Sequence, residues 1–154
     1  MQVKLTSNFN IYYSIILFLL ANFIIFDSKS GWTKVTESSS GQTFYVDLQT
    51  IHEKEGQIFF WELIDYKFQD EYGDLSAKIF IQGDCSKLRF KWLKLSYHKD
   101  AMGRDMVVDQ NPSKIVAQWQ YPKTNSTSMK VLDYVCKNKG IKHINDVIII
   151  VINE

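Results

Sequence analysis

Three observations predict an α+β fold, with a single antiparallel β-sheet that carries one C-terminal helix on one face. From residue 44 onward, apolar and polar residues mostly alternate, which is the two-residue period of strands. From residue 126 the apolar spacing changes to that of an amphipathic helix. The chain of 154 residues has only two cysteines, and one falls in each of these two parts.

The strand pattern is clearest at residues 44–48, 58–68, 75–83 and 88–97, with shorter candidates at 106–108 and 115–121. Segment 58–68 begins with apolar residues on both faces, which is typical of a strand in the middle of a sheet or beneath a helix. Within segment 88–97 the apolar residues change phase, as they do at a β-bulge. The polar run 52–56 predicts a turn.

The helix is predicted to begin near Ser126 or Thr127, either of which can cap its first turn. Leu132 and Cys136 lie on its apolar side, and Asn138 and Gly140 supply a stop. The helix is therefore short, and its apolar side must pack on the sheet.

The two cysteines are predicted to meet between helix and sheet. Cys85 continues the inward-facing positions of the strand before it, and Cys136 lies on the apolar side of the helix. A bridge between them would close a loop of about 50 residues and stabilise the fold by roughly 4 kcal/mol. The alternative is two unpaired, buried cysteines.

The N-terminal segment predicts export, and so a compartment where disulfides persist. Lys4 precedes an uncharged, mostly apolar run at residues 11–26, and Ser28 and Ser30 are small residues before a cut at Gly31. We therefore assign residues 1–30 to a signal peptide and residues 31–140 to the domain. An uncleaved membrane anchor is the alternative, and in both cases the domain lies outside the cytoplasm.

The C-terminal tail, residues 141–154, includes six consecutive β-branched residues at 147–152. Such a run suits a strand and would be prone to aggregate if exposed. We expect it to add a strand at an edge of the sheet. A tail without structure beyond the end of the domain is the alternative.

Composition and motifs argue against several function classes. The formal net charge is +1, and loss of Lys4, Asp27 and Lys29 with the signal peptide leaves zero, so no basic field would attract nucleic acid. The three histidines are far apart, and no nucleophile elbow, phosphate-binding loop or Cys-x-x-Cys motif occurs. The sequence predicts a protein that is not an enzyme and holds no metal or cofactor.

The candidate binding residues are Lys87, Arg89 and Lys91, which alternate with three apolar residues. The alternation places three positive charges on one strand face and directs the aromatic residues between them to the other face. A solvated outer face is one interpretation. The other is a patch for acidic glycans or for an acidic region of a protein partner.

The order and spacing of several short segments resemble the surface-adhesin protein E family of exported bacterial proteins. The similarity runs from about residue 31 to about residue 138. The matching pieces are residues 32–35, 44–47 with 51, 61–66, 76–78, 84–85, 97 with 102, 119 and 135–136.

The resemblance implies an antiparallel sheet with a disulfide-tethered C-terminal helix, in agreement with the residue pattern. It also implies a role at the cell surface in binding host or matrix proteins, with a homodimer as one arrangement. The family's founding type carries lipid on a cysteine at the end of its export signal. No cysteine precedes Cys85 here, so we expect no lipid anchor and a periplasmic, surface or secreted location.

Three functional hypotheses follow. The first is an exported, non-enzymatic binding module that uses a sheet face or an edge strand, touching the membrane only through its signal segment. The second is a periplasmic or envelope-associated structural domain without a host ligand. The third is a small-ligand or enzymatic pocket between helix and sheet, which a closely packed interface without a polar-lined cavity would argue against.

Overall fold

In the computed structural model, residues 31–144 and 147–150 are described, with side chains described as far as Gly140. The predicted signal peptide, residues 1–30, lies outside the described residues. So do residues 151 and 152, at the end of the predicted final strand.

The domain is built on one six-stranded antiparallel sheet, as the residue pattern predicts. The strand order is β1-β2-β4-β5-β6, and β3 pairs with the first part of β4 beside β2. The strands are β1 (Trp32–Glu37), β2 (Thr43–Asp47), β3 (His52–Lys54), β4 (Gln57–Asp65), β5 (Ser76–Asp84) and β6 (Arg89–His98). Segment 58–68, which begins with apolar residues on both faces, thus supplies β4 in the interior of the sheet.

The turn predicted at residues 52–56 is wrong in extent. His52–Lys54 forms β3, and only Glu55 and Gly56 make the turn, both with positive φ. A two-residue turn of this handedness matches the twist of a tight hairpin. The polar residues of β3 do not alternate with apolar ones because all three are exposed.

The phase change predicted in the last long strand is confirmed as a β-bulge. Phe80 pairs with Lys94 and Ile81 with Trp92, so Leu93 is the extra residue of β6. The predicted start of this strand at Leu88 is wrong. Leu88 lies in the preceding turn with φ 46° and is exposed, and β6 begins at Arg89.

The short strands predicted at 106–108 and 115–121 are absent from the described sheet. This segment runs irregularly along β6 and touches it through two isolated bridges, Leu95 with Gln110 and Phe90 with Gln120. Met106, Val108 and Ile115 are exposed, so their apolar character does not reflect a buried strand face.

The helix α1 (Thr127–Asn138) follows its prediction closely. The Ser126 hydroxyl caps it by accepting a hydrogen bond from the Met129 N–H at 3.2 Å. The buried residues Val131, Leu132 and Val135 face the sheet. Gly83 in β5 lets the helix approach, because a Cβ there would lie 3.0 Å from Leu132 Cδ1.

The predicted bridge between Cys85 and Cys136 is present and spans 51 residues of sequence. Cys85 follows the end of β5, and Cys136 lies near the end of α1. The bridge therefore ties the last turn of the helix to one end of the sheet.

After the helix, β7 (Ile141–Ile144) and β8 (Val147–Ile150) pair with each other as a separate two-stranded sheet. The β-branched run thus supplies a strand, but its partner is the segment before it and not the expected edge of the main sheet. Within the described part of the chain, no helix is both long and apolar enough to cross a membrane.

Candidate functional site

The two faces of the sheet differ in what covers them. One face packs on α1 and forms the core, in which Val46, Ile58, Phe60 and Ile79 are buried. The other face is covered at one end by the loop after β6 and is partly exposed elsewhere. We call this second side the open face.

The covering loop is held by a polar network where β5 begins and β6 ends. The buried His98 contacts Asp105 Oδ1 through Nδ1 and the Ser96 hydroxyl through Nε2, both at 3.0 Å. The Ser76 hydroxyl donates to the carbonyl of Asp100, and the N–H of Gly103 donates to the same hydroxyl. These bonds give His98 a structural role, and no described cluster of His, Cys, Asp or Glu could hold a metal ion.

A row of aromatic side chains crosses the uncovered part of the open face. Phe59 and Trp61 of β4 flank Phe80 of β5, with ring centroids 6.2 Å and 5.2 Å from that of Phe80. The exposed His52 of β3 stacks on Phe59 at 5.2 Å and ends the row. We call His52, Phe59, Phe80 and Trp61 the aromatic row.

Two of the three predicted cationic residues lie on this same face. Residues paired directly across strands share a face, and Lys91 pairs with Gln82, which in turn pairs with Phe59 of the aromatic row. Arg89 lies two residues before Lys91 on the same side of β6. Lys87 does not join them, because it lies in the turn between β5 and β6, where its backbone N–H donates to Asp84.

Sequence reasoning missed two residues of this surface. Trp119 is brought to β6 by the bridge between Phe90 and Gln120, and its ring lies 4.2 Å from the Arg89 guanidinium and 4.9 Å from Lys91 Nζ. Lys94 is exposed and pairs with Phe80 across the bulge. Its place on this face follows from the bulge, which reverses the facing of the residues beyond it.

Asp84 holds Arg89 in place beside the other two cations of the open face, Lys91 and Lys94. Its buried carboxylate accepts hydrogen bonds from the Ser86 hydroxyl at 2.7 Å, the Lys87 N–H at 3.1 Å and Arg89 Nε at 3.0 Å. These bonds, that from Ser86 first, lower the pKa of Asp84 to about 2. Arg89 is thereby held between a carboxylate and the ring of Trp119, whereas Lys94 is exposed.

A second candidate site lies on the other face, between α1 and the sheet. It is a cavity of about 110 Å³ whose wall includes four aromatic side chains, those of Phe44, Phe60, Phe90 and Trp92. Phe90 and Trp92 thus lie on the face opposite Arg89 and Lys91, as the alternation along this strand predicts. The helix and sheet are not packed closely enough to close this space.

Glu62 of β4 lines the cavity and is only 6% exposed. Among the described residues its carboxyl group has no hydrogen-bond or ion-pair partner, and burial raises its pKa to about 8. Among the described residues that line the cavity, it is the only ionisable one. Gln120 and Ser128, both partly exposed, supply the other polar groups.

The comparisons with known proteins agree with the fold. The family model described as surface-adhesin protein E matches residues 32–137. The chain therefore belongs to the surface-adhesin protein E family, and the resemblance noted in the sequence is confirmed. No curated protein matches the chain.

Solved structures of Haemophilus influenzae protein E are similar in fold. Crystal form II of that protein is 13% identical, with a TM-score of 0.53, over 73% of this chain and 91% of the other. A second structure of it has 13% identity and a TM-score of 0.52, over 73% and 88% of the two chains. At this identity the similarity concerns the fold alone.

Proposed function

We propose that this chain is an exported, non-enzymatic binding domain that attaches to a protein partner at the cell surface through its open face. The observation that carries the proposal is the combination, on the uncovered part of the open face, of the aromatic row with Arg89, Lys91 and Lys94. The family's description as a surface adhesin supports the class of function.

The side chains of the open face are of the types that bind other proteins. Aromatic and arginine side chains are enriched at the centres of protein interfaces and supply much of their binding energy. Arg89 and Lys91 lie against the ring of Trp119, which restricts their side chains before any partner arrives. Less conformational entropy is then lost on binding.

The partner we propose is a host or matrix protein that presents an acidic segment with apolar residues beside it. With a net charge of zero after the predicted cleavage, attraction would come from the local patch and not from the whole domain. Such attraction weakens as salt screens it.

Charge reversal on the open face tests this proposal. We predict that Lys91→Glu with Lys94→Glu lowers binding of the purified protein to immobilised matrix proteins by about tenfold or more, since two attractive contacts become repulsive. The matched control is Lys130→Glu with Lys137→Glu, which reverses two exposed lysines of α1, the helix that packs on the other face of the sheet. The control should bind within about twofold of the original protein.

Two outcomes would contradict the proposal. Equal loss in both double variants would mean that overall charge, not the open face, governs attachment. Recovery of envelope components alone, from a mixture that also contains matrix proteins and host-cell extract, would favour the envelope-associated domain without a host ligand.

A further inference from the structure

The cavity beneath α1 combines largely apolar walls with one acidic side chain. That side chain, Glu62, has no hydrogen-bond or ion-pair partner among the residues that the structure describes. Removing a carboxyl group from most of its hydration without supplying a protein partner costs free energy, so Glu62, which is only 6% exposed, calls for an explanation.

The residues beside Glu62 on the neighbouring strands explain why its side chain has no partner. It lies in the interior strand β4, paired with Val46 on one side and Ile79 on the other. Both of these neighbours are buried apolar residues. The backbone thus holds Glu62 on the core face, and its side chain lines the cavity.

The side chains that line the cavity indicate the charge of a ligand that it could bind. Four of the lining side chains are aromatic, and the negative faces of aromatic rings attract cations. A carboxylate among aromatic rings supplies both a counter-charge and a hydrogen-bond acceptor for an ammonium group. An anion, by contrast, would meet an acidic side chain and no positive charge in the lining.

The size of the space limits the ligand further. An apolar cavity of about 150 Å³ accommodates a benzene molecule. A cavity of about 110 Å³ therefore accommodates a group of about four or five non-hydrogen atoms. Ser128 and Gln120, which are partly exposed, lie where a longer ligand would extend toward solvent.

We propose that the cavity between α1 and the sheet binds a small primary ammonium ion with a short apolar chain, through an ion pair with Glu62. The proposal does not depend on the open face, because the two sites lie on opposite sides of the sheet. Binding would transfer the proton of Glu62 to solvent, and the ammonium group would take its place as the partner of the carboxylate.

Nuclear magnetic resonance titration of the complete exported protein tests the proposal, with n-butylammonium as the probe and 1-butanol as its neutral match. We expect shifts at the amides of Ser128 and Val131, and an affinity for n-butylammonium about tenfold or more above that for 1-butanol at pH 8.5. Because the proton must leave Glu62 and no other lining residue titrates, the affinity should fall by roughly tenfold or more between pH 8 and pH 6.

Glu62→Gln is the informative variant, because its amide matches the shape of the protonated acid and preserves the fold. It should bind n-butylammonium no better than 1-butanol, without pH dependence, while its affinity for 1-butanol stays within about twofold. The control Glu71→Gln removes an exposed carboxyl in a turn and should leave both affinities unchanged.

Three results would overturn the proposal. The first is the absence of shifts at the cavity amides up to about 50 mM of either probe, a range in which weak fragment binding is detected. The second is equal affinity for the ammonium ion and the alcohol. The third is unchanged ammonium binding in Glu62→Gln.

Discussion

Glu62 is a single residue that alters how the domain should respond to pH. Its neighbours on the same side of β4, Phe60 and Ile64, face the core, and Glu62 lies between them. Burial raises its pKa from the ordinary value of 4.5 to about 8. In the unfolded chain the group ionises at the ordinary value, so the folded state binds more protons in between.

We therefore predict that the free energy of unfolding falls as pH rises from about 4.5 to about 8. The contribution of Glu62 is fully present below the unfolded pKa and is lost as pH passes through the folded pKa. The loss amounts to at most about 5 kcal/mol across this window. Urea unfolding at pH 5, 6.5 and 8 measures it.

Glu62→Gln, which cannot ionise, should flatten this pH dependence and make the domain more stable at pH 8 than the original protein. Glu71→Gln, which removes an exposed carboxyl, should keep the original slope. If Glu62→Gln and the original protein lose stability in parallel from pH 5 to pH 8, Glu62 is not protonated in the folded domain.

The sequence could not reveal this property of Glu62. Its neighbours place it on the core side of the strand, but an acidic residue at such a position is equally compatible with a bend, an ion pair or an exposed edge. Only the pairing of β4 with β2 and β5 shows that both flanks are apolar. The pKa follows from that packing and not from local sequence.

At the scale of elements, the helix and its tether were predictable and the segment 106–121 was not. Periodicity placed α1, and the facing of Cys85 and Cys136 indicated that they could meet. The short apolar runs after β6 looked like strands because β-branched and aromatic residues favour strands. They lie along the outside of the domain instead, where exposed apolar residues carry no information about strand faces.

The disulfide between Cys85 and Cys136 should contribute a large part of the free energy of unfolding of the domain. We predict that Cys136→Ser lowers the free energy of unfolding by about 4 kcal/mol, because the unfolded chain regains the freedom of a closed loop of this length. For a domain of this size that corresponds to a fall of roughly 10 °C or more in the melting temperature.

Calorimetry measures this fall, and the double variant Cys85→Ser with Cys136→Ser is the control. It removes the same bridge without leaving a free thiol and should melt at the same temperature as the single variant. A single variant that melts like the oxidised protein would show that the bridge adds nothing to the fold.

At the scale of the whole molecule, the open face could be predicted only in part. The alternation of residues 75–83 directs Phe80 to the side opposite Ile79 and Ile81, and Arg89 and Lys91 share one side of β6. The sequence did not show that these sides are the same face, because that depends on strand pairing. It also did not show Lys94 among them, since the exact effect of a bulge on facing requires the register.

The two faces of the sheet carry different kinds of residues and sites. The core face carries the helix, the tether and the cavity, whereas the open face carries the aromatic row and the cations of β6. Family membership agrees with a binding role for this architecture. We therefore propose that the open face makes the contact with the partner.

Photo-crosslinking tests that claim most directly. A photoreactive amino acid replaces Gln82, between Lys91 and Phe59 on the open face, or Lys130, on the exposed side of α1. Each protein is then irradiated with a mixture of matrix proteins. We predict a covalent complex with one matrix protein from position 82 and none from position 130; a complex formed from position 130 alone would contradict the account.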